Sequence, residues 1–354
     1  TSLGATTTGA SNVALGDASL SSNTTGSTNT AVGQAALSSN TTASNNTAVG
    51  KSALTANTTG DLNTAVGSLA LDANTTGANN TALGHESLGV NTTGNSNTAI
   101  GEDSLQANTT ASNNVAVGRR AMFANTTGTD NVALGHNALD ANTTADNNTA
   151  VGKAALTANT TGASNTATGA GASISNTVGS GNVAIGLNAL YANTGSSLNV
   201  AVGVGALDAF NVGSGNGYNT AVGDQAGGSV TTGIQNTFVG GLAGDATDDG
   251  ANNTAVGYGS LSANAGPGNS AVGSGALAAC TGNNSSALGI NAGLNATSAL
   301  NDLFLGASAG TTGNPGGNVT TGDNIVCIGD SNIAAAHIQV DWTVASDQRD
   351  KTDF

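Results

Sequence analysis

The chain has 354 residues, 53 of them glycine, but only five Phe, three Tyr and one Trp. So few bulky side chains cannot fill the core of a globule this long, which excludes an ordinary enzyme body of two or three domains. Six Lys and Arg against 21 Asp and Glu leave a net charge of −15, which disfavours nucleic acid and anionic membrane surfaces as partners.

A strict repeat takes the place of the missing core. Asn29-Thr30-Ala31-Val32-Gly33 returns with its glycine at Gly16, Gly33, Gly50, Gly67, Gly84, Gly101, Gly118, Gly135, Gly152, Gly169, Gly186 and Gly203, always at the same interval of seventeen. That period predicts a solenoid, in which each unit meets only its neighbours. The same regularity separates the chain from disordered low-complexity sequence.

Within residues 1–203, Thr30-Ala31-Val32 alternates as a short strand does. Leu37, Leu54, Leu71, Leu88, Leu105, Leu139 and Leu156, with Met122 in the same slot, predict a second short strand beyond the glycine turn. A helix pair fails, because a glycine and an Asn-Thr-Thr in every repeat interrupt any helical run. The expected class is all-β, a parallel β-solenoid of about 19 coils, some 90 Å long at ~4.8 Å per step.

The residue before each glycine is aliphatic except at Thr168 and is expected to point into the coil. The alanine two before the glycine never grows through Ala221, so it is expected to face a close neighbour, the opposite strand or another chain. A coil this thin buries little by itself. The expectation is therefore a parallel homotrimer packed on Ala31, Ala48, Ala65, Ala82, Ala99 and their successors. The residue after the glycine varies freely (Asp17, Gln34, Lys51, Ser68, His85, Glu102, Arg119, His136, Lys153), as on a solvated turn. His85 and His136 lie three coils apart, about 14 Å at the ~4.8 Å rise, and cannot share a metal. Asn23, Asn40, Asn57, Asn74, Asn91, Asn108, Asn125, Asn142 and Asn159 are expected to stack, their amides bonded along the shaft. They also match the glycosylation sequon, but the repeat already accounts for them.

Over 204–329 the gaps between glycines become 20, 17, 17, 16, 16, 17 and 23. Phe210 and Tyr218 flank a glycine-rich insertion, while Phe238, Phe304 and Cys327 occupy the alanine slot, where a wider shaft is expected. Phe210, Tyr218, Tyr258, Asp245, Asp248 and Asp249 are the candidate receptor contacts, since an aromatic ring covers the apolar face of a sugar. The three aspartates are also the oxygen donors that Ca²⁺ takes, though Asp-rich turns are more often simply solvated. No metal and no cofactor are expected. Cys280 and Cys327 occupy different repeat positions and indicate neither a disulfide nor a metal pair.

In 330–345, Ile338, Val340, Trp342 and Val344 alternate with polar residues as a half-buried strand does. Residues 346–354 form a charged tail, Ser346-Asp347-Gln348-Arg349-Asp350-Lys351-Thr352-Asp353-Phe354. The sequence starts without Met or a leader and has no apolar run of membrane-spanning length, so it reads as a piece of a longer protein whose anchor lies elsewhere.

The Asn-Thr-Ala-Val-Gly coils resemble the head repeats of trimeric autotransporter adhesins, parallel β-rolls wound as trimers. The tail resembles the opening of the endosialidase-type, self-cleaving intramolecular chaperone domain that ends many phage tail fibres. In that family a Ser-Asp pair marks the release point and a Lys five residues after the Ser belongs to the cleavage chemistry. Ser346, Asp347 and Lys351 stand at those positions, while Asp350 departs from the usual apolar residue. The resemblance implies a homotrimeric phage tail fibre, extracellular on the virion. Its implied partners are other tail proteins and a bacterial cell-surface glycan or protein. A bacterial trimeric adhesin or filament shares the coil. A tailspike depolymerase ranks last, because it needs paired carboxylates about 5 to 9.5 Å apart, and no such pair recurs in the repeat.

Overall fold

The computed structural model describes residues 3–311 and 318–333. Its regular elements there are nineteen three-residue strands, β1 (Val13–Leu15) through β19 (Val326–Ile328), one per coil. Each strand pairs in parallel with the next along the chain, in a single continuous sheet. The register places each repeat on its neighbour: Ala14 on Ala31, Ala31 on Ala48, Ala48 on Ala65. The two longest coils, from Gly203 to Gly223 and from Gly306 to Gly329, keep this register. Ala201 stands opposite Ala221 and Phe304 opposite Cys327, so the additional residues are taken up outside the strands. No helix among the described residues is long and apolar enough to cross a membrane.

Three expectations about the coil interior change. The first is the facing of the strand. Ala31, Ala48, Ala65, Ala82 and Ala99 are completely buried within a single chain, whereas Leu15, Leu83, Leu134 and Leu288, all next to the repeat glycine, are exposed. The alanines thus face the coil's own interior and cannot serve as the surface on which a second chain packs. The coil is so narrow that only a methyl group fits between the strand and the leucine row, which is why this position never grows.

The second is the leucine segment. It is a stack of turns and not a second strand: Ala35 (φ 58°) and Leu37 (φ 50°) both adopt the left-handed conformation. Inter-coil hydrogen bonds hold it there, for example Leu37 N–H to the Ala53 carbonyl at 3.0 Å and Ala35 N–H to the Asp17 carbonyl at 2.8 Å. The repeat glycine is required twice over at this bend. Gly33 has φ 134°, and a Cβ on it would collide with the Gly50 carbonyl of the next coil.

The third is the width of the shaft at Phe238 in β14 (Thr237–Val239) and Phe304 in β18 (Leu303–Leu305). Both rings are fully buried, and the shaft does not open for them. The leucine row yields instead. Glycine stands there at Gly227 and Gly244 around Phe238, and at Gly293 and Gly310 around Phe304. A Cβ built at any of the four would press into the ring. These glycines keep the leucine's backbone, with φ of 60° and 61° at Gly227 and Gly244. Each phenylalanine thus occupies the space that the leucine side chains of two successive coils leave free.

The expected asparagine stack is present. The Asn40 amide donates to Asn23 Oδ1 at 2.8 Å and to the Ala43 carbonyl at 3.0 Å, and the pattern continues to Asn193. Every member is buried, so the sequon reading fails: the amides are inside the shaft and already hydrogen-bonded. A second ladder was not anticipated, although it uses the first residue of the repeat motif itself. Asn29 N–H donates to Asn12 Oδ1 at 2.9 Å, and Asn29 Nδ2 donates to the Ala43 carbonyl at 2.8 Å. This pattern runs on as far as Asn269. It supplies partners to buried peptide groups at the point where the chain enters each strand.

Candidate binding groove

The second and fifth residues after each repeat glycine border a longitudinal groove on the outside of the turns. Where these positions hold large side chains the groove is bridged. Arg120 Nε and Nη2 donate to the two Asp140 carboxylate oxygens at 3.2 and 3.3 Å, and the guanidinium lies 4.2 Å from the Phe123 ring centre. The groove opens at two places along the shaft.

The larger opening has a volume of about 410 Å³ and is lined by Leu242, Asp245, Tyr258, Ser262, Ser274 and Asn291, with Gly259 and Gly275 at its floor. Tyr258 projects from the turn with 65 % of its surface exposed. Its ring lies beside Gly241, one coil earlier in the same row, where a Cβ would sit 3.6 Å from Tyr258 Cδ2. Asp245 lies at the fifth position after Gly240. Its Oδ1 is buried and accepts no hydrogen bond from the chain, and burial pushes its carboxyl above the usual 3.8. An aromatic face, a carboxylate, two hydroxyls and an amide therefore line one shallow cavity. This is the donor and acceptor set that suits a polyhydroxylated ligand stacked on a ring.

A smaller opening, about 290 Å³, occurs ten coils earlier in the same groove, between Leu69, Asp72, Glu86, Val90 and Gln106. It has no aromatic side chain. Asp72 is pushed upward there by burial, with a smaller upward contribution from the Glu86 charge.

Of the candidate contacts named from the sequence, Asp245 and Tyr258 come together in the larger opening. Phe210 does not qualify: it is fully buried inside the coil. Tyr218 is exposed but lies outside the groove lining, and its hydroxyl accepts a hydrogen bond from Asn216 Nδ2 at 2.8 Å. Asp248 is exposed and engaged with the preceding coil, its carboxylate accepting from Thr231 Oγ1 and its carbonyl from Thr231 N–H. Asp249 is exposed too. The carboxylates of Asp245, Asp248 and Asp249 do not all lie within 4.8 Å of one another. Cys280 and Cys327 are both free thiols, pushed upward by burial. Ser346, Asp347 and Lys351, and the alternating stretch from Ile338 to Val344, lie outside the described residues.

Leu242, Ser262, Ser274 and Asn291 were missed because each looks unremarkable in its own coil. No protein-family model matches the chain, and no curated protein matches it.

Proposed function

We propose that this chain is the shaft and contact region of a homotrimeric attachment fibre, of the kind phage tails carry, which reaches from the virion to a glycan on a bacterial surface. The observation that carries this reading is the open groove at Asp245 and Tyr258 on an otherwise uniform rod. Such a rod provides reach, and several weak contacts combine through effective concentration when three copies present the same groove.

The trimer interface in this reading is the outer face of the sheet. Leu15, Leu83, Leu134, Ile185, Val222, Val239, Val272, Leu288 and Ile328 form an exposed aliphatic file along the whole shaft. An in-register copy carries the same file at the same spacing, so parallel chains match along their full length. The net charge of each chain, −15, keeps finished fibres apart. The charged tail beginning at Ser346-Asp347 supports the phage source over a cellular adhesin, through its likeness to the chaperone that ends tail fibres.

The test is binding of labelled fibre to bacterial cells together with its mass in solution. A trimer that binds cells, and whose binding falls at least tenfold on Tyr258→Ala with unchanged mass and melting, supports the proposal. A monomer, or cell binding indifferent to both Tyr258→Ala and Asp245→Asn, overturns it.

A further inference from the structure

The charged side chains of the shaft are not spread evenly. Asp72, Glu86, Glu102 and Asp103 gather within three successive coils around His85, on the turns beside the sheet. Among the described residues, one group of three metal-capable side chains converges there: His85, Glu102 and Asp103 offer ligand atoms that all lie within 4.8 Å of one another. His85 and Glu102 stand immediately after their repeat glycines, and Asp103 follows Glu102 on the next coil. The two coils are tied together at this point, because Asp103 N–H donates to the His85 carbonyl at 3.0 Å. Glu86 lies against the imidazole from the side, its Oε1 3.8 Å from His85 Nε2. The one guanidinium in contact with the group belongs to Arg119, whose Nε is 3.2 Å from Glu102 Oε2 on the exposed face.

We propose that His85, Glu102 and Asp103 form a binding site for a divalent transition-metal ion, with Zn²⁺ as its representative. An imidazole nitrogen with two carboxylates is the donor set of a borderline first-row metal, whereas Mg²⁺ and Ca²⁺ take oxygen donors alone. Zn²⁺ holds such ligands at ~2.0–2.2 Å, which brings donor atoms to about 3–3.5 Å apart. The observed spacing needs each side chain to close by roughly an ångström. All three project from an outward turn row, where rotation costs little packing. The backbone is the fixed part: Asp103 is held left-handed at φ 58°, and the inter-coil bond locks one turn above the other. Three protein ligands leave a fourth position for water or for a donor on a partner surface. A bound dication also offsets the mutual repulsion of the four carboxylates. Glu102 is the ligand that must be drawn from Arg119, and the exposed pair it gives up is a weak one.

The experiment is calorimetric titration of the tag-free chain with Zn²⁺, repeated with Ca²⁺. The expected result is one Zn²⁺ per chain and no comparable Ca²⁺ site. His85→Ala and Glu102→Gln are each expected to weaken Zn²⁺ by ~100-fold or more, beyond the ~10–100-fold that outer-sphere changes cost. Asp103→Asn keeps a residue suited to the left-handed backbone and is expected to weaken binding to a similar extent. His136→Ala is the control: it stands in the same row three coils on, but the coil that follows it brings Lys153 and Ala154 in place of carboxylates. Zn²⁺ binding that survives His85→Ala, or that falls equally with His136→Ala, overturns the proposal. So does a wild-type chain that takes up no Zn²⁺. All four substitutions are on exposed or half-exposed turns, and melting curves are expected to stay unchanged in the absence of metal.

Discussion

From Asn23 to Asn193 one interior slot is asparagine in every coil, and each amide donates to the one before it. Beyond Gly203 the same slot holds Phe210, Val230, Thr247, Cys280 and Ala296, all buried, and Asn264, which is exposed and accepts a hydrogen bond from Asp248 N–H instead of joining a ladder. The second ladder behaves differently and continues through Asn219, Asn236, Asn253 and Asn269. An amide ladder works only when each turn stands directly over the last, within hydrogen-bond reach. The slot lost after Asn193 lies in the turn: Phe210 stands in a coil of 20 residues, Val230 and Thr247 in coils of 17. The retained slot adjoins the strand, whose register never slips. Apolar side chains fill most positions of the lost slot, while Thr247 Oγ1 is buried there without a hydrogen-bond partner. The larger opening of the groove lies in the irregular half and the smaller one in the regular half.

Exchanging the two kinds of interior tests this comparison most severely. Phe238→Ala should cost about 3–5 kcal/mol, because the ring is fully buried between two glycines and a cavity replaces it. Gly244→Leu alone should also destabilise, since its side chain enters the space of the Phe238 ring. The double variant rebuilds the alanine–leucine pair of the regular coils and should recover about 1–3 kcal/mol relative to the sum of the single losses. Chemical denaturation of the four proteins gives the coupling. Additive losses would mean that the two positions do not share one space.

The next effect contrasts the same slot in the two halves. Asn91→Leu removes the donor of Asn74 Oδ1 and the acceptor of one Asn108 Nδ2–H, while the Gly94 carbonyl keeps its bond from Asn80 Nδ2. Each buried group left unpaired costs about 1–3 kcal/mol. Val230→Leu, in the apolar stretch, adds one methylene and strands no polar group, at a cost of about 1–3 kcal/mol from overpacking alone. Hydrogen exchange should localise the first loss to the coils around Asn91, as expected when units meet only their neighbours. Global destabilisation by both substitutions alike would erase the distinction between a ladder slot and a packing slot.

A smaller effect sharpens the account of the turns common to both halves. The fifth residue before each glycine is left-handed throughout and is usually Asn, Ser or Asp, as at Asn45 (φ 61°) and Asn113 (φ 62°). Leu62 and Leu198 hold the same conformation while exposed to solvent. Leu62→Asn and Leu198→Asn should each raise stability by up to about 1 kcal/mol, since Asn tolerates this region better than Leu. Loss of stability in either would show that the leucine packing outweighs the backbone term.

Much of this fold was legible because a period is a statement about neighbours. The constant interval between glycines implied one strand per coil, and the Asn23 column implied bonded amides. The facing of the strand was not legible from Thr30-Ala31-Val32, because the usual cue, the larger residue inward, inverts when the interior is one methyl wide. The leucine row resembled a strand because alternation alone does not reveal left-handed turns. Phe238 and Phe304 were read one position at a time, whereas their glycine partners stand on the leucine row of the same and the preceding coil. Asp245 and Tyr258 stood out by type, but the groove that joins them depends on neighbours as plain as Gly259 and Ser274.

The last prediction concerns Asp245 in the groove. Burial holds its carboxyl above 3.8 in the folded chain. The folded state therefore binds the proton more tightly than the unfolded state, and this group's contribution to stability is fully present below 3.8 and lost as pH rises through the folded value. Melting of the wild-type chain should fall across that window relative to Asp245→Asn, which carries no charge to bury. A ligand hydroxyl donating to Asp245 Oδ1 would stabilise the ionised form and shrink the wild-type deficit, so the same pair of melting curves, repeated with a bound oligosaccharide, reports whether this carboxylate touches it.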